Sequence, residues 1–134
     1  MKLKTKGEIT MIDFQNSEYL KLKEMNQKDS IEAAEKLIIP GEQVITGFKT
    51  IRDKVIFTNK RIITMNVQGL TGKRVDYTSI PYSKIQTYSV ETSGTFDMDC
   101  EIEVWLSSVG RIKFEIIGGY DITELSHVIS EYIL

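Results

Sequence analysis

Four carboxylates, Asp97, Asp99, Glu101 and Glu103, stand at every second position of one run. In an extended strand that spacing sets all four on the same face. A hard cation needs oxygens converging from a tight turn rather than a flat row, so the row reads as a solvated outer face or as one side of a charge-complementary contact. Trp105 continues the same phase, and a large aromatic on a charged face is a common anchor between subunits. Glu101, Glu103 and Trp105 are therefore candidate interface residues. A second charged group, Lys49, Arg52 and Lys54, surrounds a short break between two apolar runs. Clustered cations suit phosphate or carboxylate oxygens, which makes these three a candidate anion or partner loop, although Asp53 lies among them.

Nucleophilic chemistry finds little to work with. His127 is the single histidine, and its helical phase turns it away from the apolar stripe of the last segment. A triad would need it facing a nucleophile with a carboxylate behind it. Cys100 alternates in phase with Ile102, Val104 and Leu106 and reads as a small core residue. One Cys and one His cannot build a zinc site within one chain, and a lone Cys leaves no internal disulfide. Gly69-Leu70-Thr71-Gly72-Lys73 lacks the glycine spacing and following helix of a phosphate loop, and it reads as a hairpin turn. Gly118-Gly119 reads as a strand-to-helix connection. No catalytic residue, metal or cofactor is expected, and the chain is read as a non-enzyme.

The elements that must position these groups follow from periodicity. At 134 residues the chain fits one domain. Residues 1–12 show no sustained period, and Met11 is an alternative start. No leader-like apolar segment follows the first lysines and no run suits a bilayer span, so a cytoplasmic protein is expected. Asp29-Ser30-Ile31-Glu32 looks like a capped start for a helix over 30–38, stopped by Pro40-Gly41. Residues 17–24 read as a second helical turn, with 19–22 alternatively extended. Strands are then predicted at 43–49, 54–58, 61–66, 73–79, 85–92, 96–106 and 111–117. Asp121-Ile122-Thr123-Glu124 is a further capping box. The helix it opens carries Ile122, Leu125, Val128, Ile129, Tyr132 and Ile133 on one side, a stripe that should lie on the β-core. The expectation is a mainly β (α+β) fold in which residues 1–37 form an extension with a short helix and residues 38–134 form the domain.

The 55–65 hairpin, closed at Asn59-Lys60, raises a question of cover. A tight turn there asks Asn59 for positive φ, which Asn tolerates. Phe57 then opposes Ile62 and Val55 opposes Thr64 on one face, while Ile56 opposes Ile63 and Lys54 opposes Met65 on the other. A half-wet sheet should alternate apolar with polar, and this hairpin is apolar on both faces. Either the N-terminal segment or a neighbouring subunit must cover the second face, which makes Ile56, Ile63 and Met65 candidate interface residues. Charge points the same way. Residues 1–86 hold 15 basic and 10 acidic groups, whereas residues 87–134 hold 2 basic and 9 acidic. Two unlike surfaces suit head-to-tail contacts that close into a ring. The overall acidity argues against nucleic acid.

Several stretches carry a family likeness: Ile39-Pro40-Gly41-Glu42, the core Phe57-Thr58-Asn59-Lys60-Arg61, and Val90-Glu91-Thr92-Ser93-Gly94-Thr95-Phe96-Asp97. In these, and in its order of elements from about residue 38 to 132, the chain resembles the bacterial pleckstrin-homology-like (PH-like) domains. The resemblance implies a seven-stranded barrel or sandwich of two antiparallel sheets capped by a C-terminal helix. It also implies ring-like homo-oligomers, pentamers among them, and no particular ligand. In eukaryotic PH domains that bind lipid, a basic loop placed like Lys49, Arg52 and Lys54 holds inositol phosphates. The expected partners are the chain itself and a protein or peptide, with anionic membrane lipid as the second reading.

Overall fold

The computed structural model describes residues 16–92, 99–107 and 110–134. Its strands are β1 (Asn16–Glu24), β2 (Val44–Lys49), β3 (Lys54–Thr58), β4 (Arg61–Gln68), β5 (Arg74–Pro81), β6 (Ile85–Thr92), β7 (Cys100–Leu106) and β8 (Gly110–Ile117). Helix α1 (Gln27–Ala34) follows β1, a 3-10 turn at Tyr82–Lys84 links β5 to β6, and α2 (Ile122–Ile133) ends the chain. The mainly β class with a terminal helix is as expected. Among the described residues the strands, however, number eight and form one curled sheet in the order β5-β4-β3-β2-β1-β8-β7-β6.

The additional strand is β1, where a helical turn was expected with 19–22 alternatively extended, and the extended alternative is the one found. It runs antiparallel to β2 and parallel to β8, and so joins two meanders into one sheet. Its alternation is broken at Lys21, whose φ of 57° accompanies a register shift between Tyr19 and Leu22. Such a bulge re-aims side chains: Tyr19 and Leu22 point into the core while Leu20 and Lys21 stay exposed. Helix α1 also starts earlier than expected. Asn26, not Asp29, is its cap, accepting the Asp29 N–H at 2.8 Å, which satisfies one orphan amide of the first turn.

Period-two burial builds the main core. Ile102 and Val104 of β7 and Ile112, Phe114 and Ile116 of β8 are fully buried, while Glu101, Glu103 and Trp105 face outward and are half-buried. Val55, Phe57 and Ile62 meet them inside the curl, and Leu125 and Ile129 of α2 close it. Asp121 caps α2 through the Thr123 N–H at 3.0 Å.

The other face of the central hairpin is covered by the chain itself. Ile56, Ile63 and Met65 form a second cluster with Met25 and Ala34, flanked by Ala33, Leu37 and Ile38. Ile56 and Ile63 have no exposed surface and Met65 has 5%. Of the two covers expected for these three residues, a neighbouring subunit or the N-terminal segment, the fold supplies the second, so they make an intramolecular contact and not an interface. Small residues make it possible: Gly47 of β2 lies against Ser30 of α1, and a Cβ there would come within 2.5 Å of the Ser30 hydroxyl.

The Phe57–Arg61 motif is architectural. Glu42, its side chain wholly buried, takes a bidentate pair from Arg61: Nε to Oε2 and Nη2 to Oε1, both at 2.9 Å. Arg61 also donates to Leu37 O and Ser79 Oγ, and the Thr58 hydroxyl and Ile39 N–H add to Glu42. Burial pushes the Glu42 carboxyl up, but these donors outweigh it and hold it below its ordinary value. Tyr82, whose phenol burial pushes far up, donates to Thr58 O at 2.7 Å. Asn59 does not take positive φ. Its side chain instead accepts from Gln43 N–H at 2.8 Å and donates to Gly41 O at 3.1 Å, tying the turn to the segment before β2.

Candidate functional site

Strands β2 to β5 form a meander, so the β2–β3 and β4–β5 turns lie at the same end of the sheet. The first turn is locked from within: Thr50 N–H donates to Asp53 O at 2.9 Å, and Thr50 Oγ1 accepts from Arg52 and Asp53 N–H. It is also locked to its neighbours. Arg52 Nη2 donates to Gly69 O at 2.6 Å, and Asp53 Oδ1 accepts from Val67 N–H at 3.0 Å. The glycine-bracketed second turn is the expected hairpin, with Gly69 and Gly72 at φ of 71° and 69°, values open to Gly at no steric cost.

Each of these braced turns holds a large aliphatic side chain clear of the protein. Ile51 and Leu70 are 102% and 104% exposed. The expected basic loop is where the sequence placed it: Lys49 and Arg52 are exposed and Lys54 is half-buried. The fold adds Lys73 and Arg74 from the second turn, both exposed. Asp53, the acidic neighbour, is occupied by the Val67 amide. Among the described residues none of these five cations is in an ion pair. Beside this end an open cleft of about 800 Å³ runs between β1 and the β2–β3 turn, where Lys21 and Lys23 of β1 face Lys49 and Arg52. The sequence signal that was passed over is the pair of aliphatic residues inside turns rich in cations, where turns are ordinarily polar.

The remaining expected residues stand apart from this end. On the outer face of β7 and β8, Lys113 approaches Glu101 at 3.5 Å and Arg111 approaches Glu103 at 3.7 Å. Half-buried and loosely spaced, these pairs contribute little. Trp105 lies beside Arg111 and Thr87 in register. Asp97 falls outside the described residues. His127 is exposed on α2, and Cys100 is buried, with burial pushing its thiol up to about 11; such a thiol is inert at neutral pH. Among the described residues no cluster of three potential metal ligands occurs, and no helix is long and apolar enough to cross a membrane.

The charge split is now spatial. Residues 44–81, which form β2 to β5, carry seven basic and two acidic side chains; the described residues from 85 onward carry two basic and eight acidic. Because β5 and β6 are the two edges of the sheet formed by the described residues, the basic half ends at one edge and the acidic half borders the other.

Comparison with known proteins agrees with this architecture. A family model described as Bacterial PH domain matches residues 13–133. A pleckstrin-homology-domain protein from Shewanella loihica PV-4 superposes with a TM-score of 0.73 at 36% identity, covering 85% of this chain and 98% of that one. A pleckstrin homology domain from Shewanella amazonensis SB2B gives 0.61 at 35%, covering 82% and 90%. Uncharacterized protein YjqA of Bacillus subtilis (strain 168) is 46% identical over 71 residues, 53% of this chain and 57% of YjqA. The chain belongs to the bacterial PH domain family.

Proposed function

From that membership we propose that this protein is a non-enzymatic binding domain that assembles head to tail with copies of itself into a closed ring, displaying repeated copies of a surface for a protein or peptide. The observation that supports this reading is the open sheet, whose β5 and β6 edges have no strand partner among the described residues and which end halves of unlike charge. Unpaired strand edges expose rows of N–H and C=O groups that can template another strand. Here the edges belong to opposite ends of one sheet, so a β5 edge and a β6 edge meet heterologously, and such contacts close when the rotation permits. The basic half behind β5 and the acidic half behind β6 steer that encounter and disfavour like-with-like pairing. Tyr77, half-exposed on β5, supplies an aromatic contact at the joint. The buried, unpaired Cys100 suits a reducing compartment, and the cytoplasm is the proposed location.

The test is the effect of Tyr77→Glu on solution mass. A carboxylate on the β5 edge, facing an acidic neighbour, should shift the assembly toward single chains while the circular dichroism spectrum stays native. Native mass in the variant would count against edge pairing.

A further inference from the structure

We propose that the gap between β1 and the β2–β3 turn is a docking groove for an extended acidic peptide, which adds to β1 as a further strand. The inference rests on the binding half of the proposed function, naming its surface and its partner, and not on self-assembly. A strand inside a sheet is ordinarily paired on both sides, and β1 is not. It runs beside β8 from Asn16 to Lys23 but meets β2 only at Lys23 and Glu24. There β2 ends at Lys49 and the chain turns away into β3. Residues 17–22 are left with no strand on that side among the described residues. A row of unpaired backbone N–H and C=O groups templates another strand, and one running antiparallel to β1 prolongs the line that β2 leaves. The open edge spans roughly 20 Å, room for a short extended segment.

Both walls of the groove are fixed before anything binds. The cleft of about 800 Å³ between them is in the size range of ligand sites. On one wall β1 is held by β8, and its bulge is pinned by the Lys21 N–H donating to Glu115 Oε1 at 3.0 Å. The other wall is the turn that Arg52 ties to Gly69. Tyr19 lines the groove between them, its hydroxyl donating to Asn66 of β4 at 3.1 Å. A partner therefore meets a preorganised edge, which lowers the ordering cost of binding. The walls also select the peptide. Lys21, Lys23, Lys49 and Arg52 face the acids Glu18 and Asp53, and Asp53 is already taken by the Val67 amide. Leu20 is half-exposed and Ile51 fully so. In strand addition the backbone supplies affinity and alternate side chains supply specificity; here acidic side chains meet the cations and aliphatic ones cover Leu20 and Ile51. A nucleic acid or free phosphate satisfies the cations but leaves the backbone row unpaired, and a flat bilayer does not reach a recessed strand edge.

The experiment is fluorescence anisotropy of the full chain with a labelled, end-blocked synthetic peptide of alternating Glu and Val, paired with backbone hydrogen exchange. Saturable binding is expected, with exchange over residues 17–22 slowing when the peptide is present. A peptide with Lys in place of Glu should not bind. N-methylation of every second peptide nitrogen should abolish binding in one phase and spare it in the other, because an added strand turns alternate N–H groups toward β1. Leu20→Ser should weaken binding about ten-fold, and Lys23→Gln and Lys49→Gln about five-fold each. Binding that survives methylation in both phases, or that leaves exchange over residues 17–22 unchanged, would overturn the proposal. So would full displacement of the peptide by inorganic phosphate at matched ionic strength, or a chain that ignores the peptide and binds phosphatidylglycerol vesicles. Self-assembly is read separately, from the mass of the native chain: a multimer that ignores the peptide sinks the groove and leaves the ring standing.

Discussion

Ile63→Ala probes who covers the central hairpin. Ile63 has no exposed surface and packs beneath α1 with Ile56, Met65, Met25 and Ala34. Truncation removes three buried carbons and leaves a cavity, a change that costs about 2–5 kcal/mol in well-packed cores. The cover here is an eight-residue helix that can settle partway into the gap, so the lower half of that range, about 2–3 kcal/mol, is expected. For a chain of this length that corresponds to a fall in Tm of roughly 6–12 °C. The assay is urea unfolding at two protein concentrations, paired with solution mass. Cover by α1 predicts a loss of stability that does not depend on concentration, with mass unchanged. Gly47→Ala attacks the same contact from β2 by pushing on Ser30, so the double variant should cost less than the sum of the singles. A fall in mass with an unchanged unfolding midpoint would refute the reasoning, because it would put a second chain where α1 is drawn.

Other perturbations follow from the same contacts. Arg61→Met strands a buried carboxylate and should cost about 3–5 kcal/mol, more than Arg61→Met combined with Glu42→Gln, by chemical denaturation. Because the Glu42 carboxyl is held below its ordinary value of 4.5, its contribution should be complete above that pH and vanish as pH falls through the lower folded value; the urea midpoint of the native chain should therefore drop toward that of Glu42→Gln in acid. Asn59→Gly should destabilise by about 1–2 kcal/mol rather than stabilise, since φ there is not positive and the side chain carries two hydrogen bonds. The Cys100 thiol, pushed up to about 11 by burial, should resist a thiol reagent at pH 8 until urea is added.

What sequence reasoning recovered and what it missed have distinct physical origins. The β2–β8 strands were legible because local alternation and turn residues mark them, and the pairing of Phe57 with Ile62 and Ile56 with Ile63 was drawn from register alone. β1 was not legible. A bulge at Lys21 interrupts its period, and its partners lie far away on β8. The cap of α1 was displaced by one motif because Asn26 and Asp29 both offer capping oxygens, and Asn26 is the one that accepts, from the Asp29 N–H. The two-sided hydrophobicity of the hairpin was legible, and so were its two possible covers, but the choice between the N-terminal segment and a second chain was not, since periodicity does not say which chain supplies a helix. The basic loop was found from Lys49, Arg52 and Lys54. Its apolar half was passed over because Ile51 and Leu70 sit in different turns that only the meander brings together.

Solution mass of the native chain at micromolar concentration and low salt bears most directly on the proposed assembly. The account predicts a discrete multiple of 15.3 kDa that falls as salt screens the unlike halves. A homogeneous single-chain mass under those conditions, with both β5 and β6 edges left in water, would contradict it.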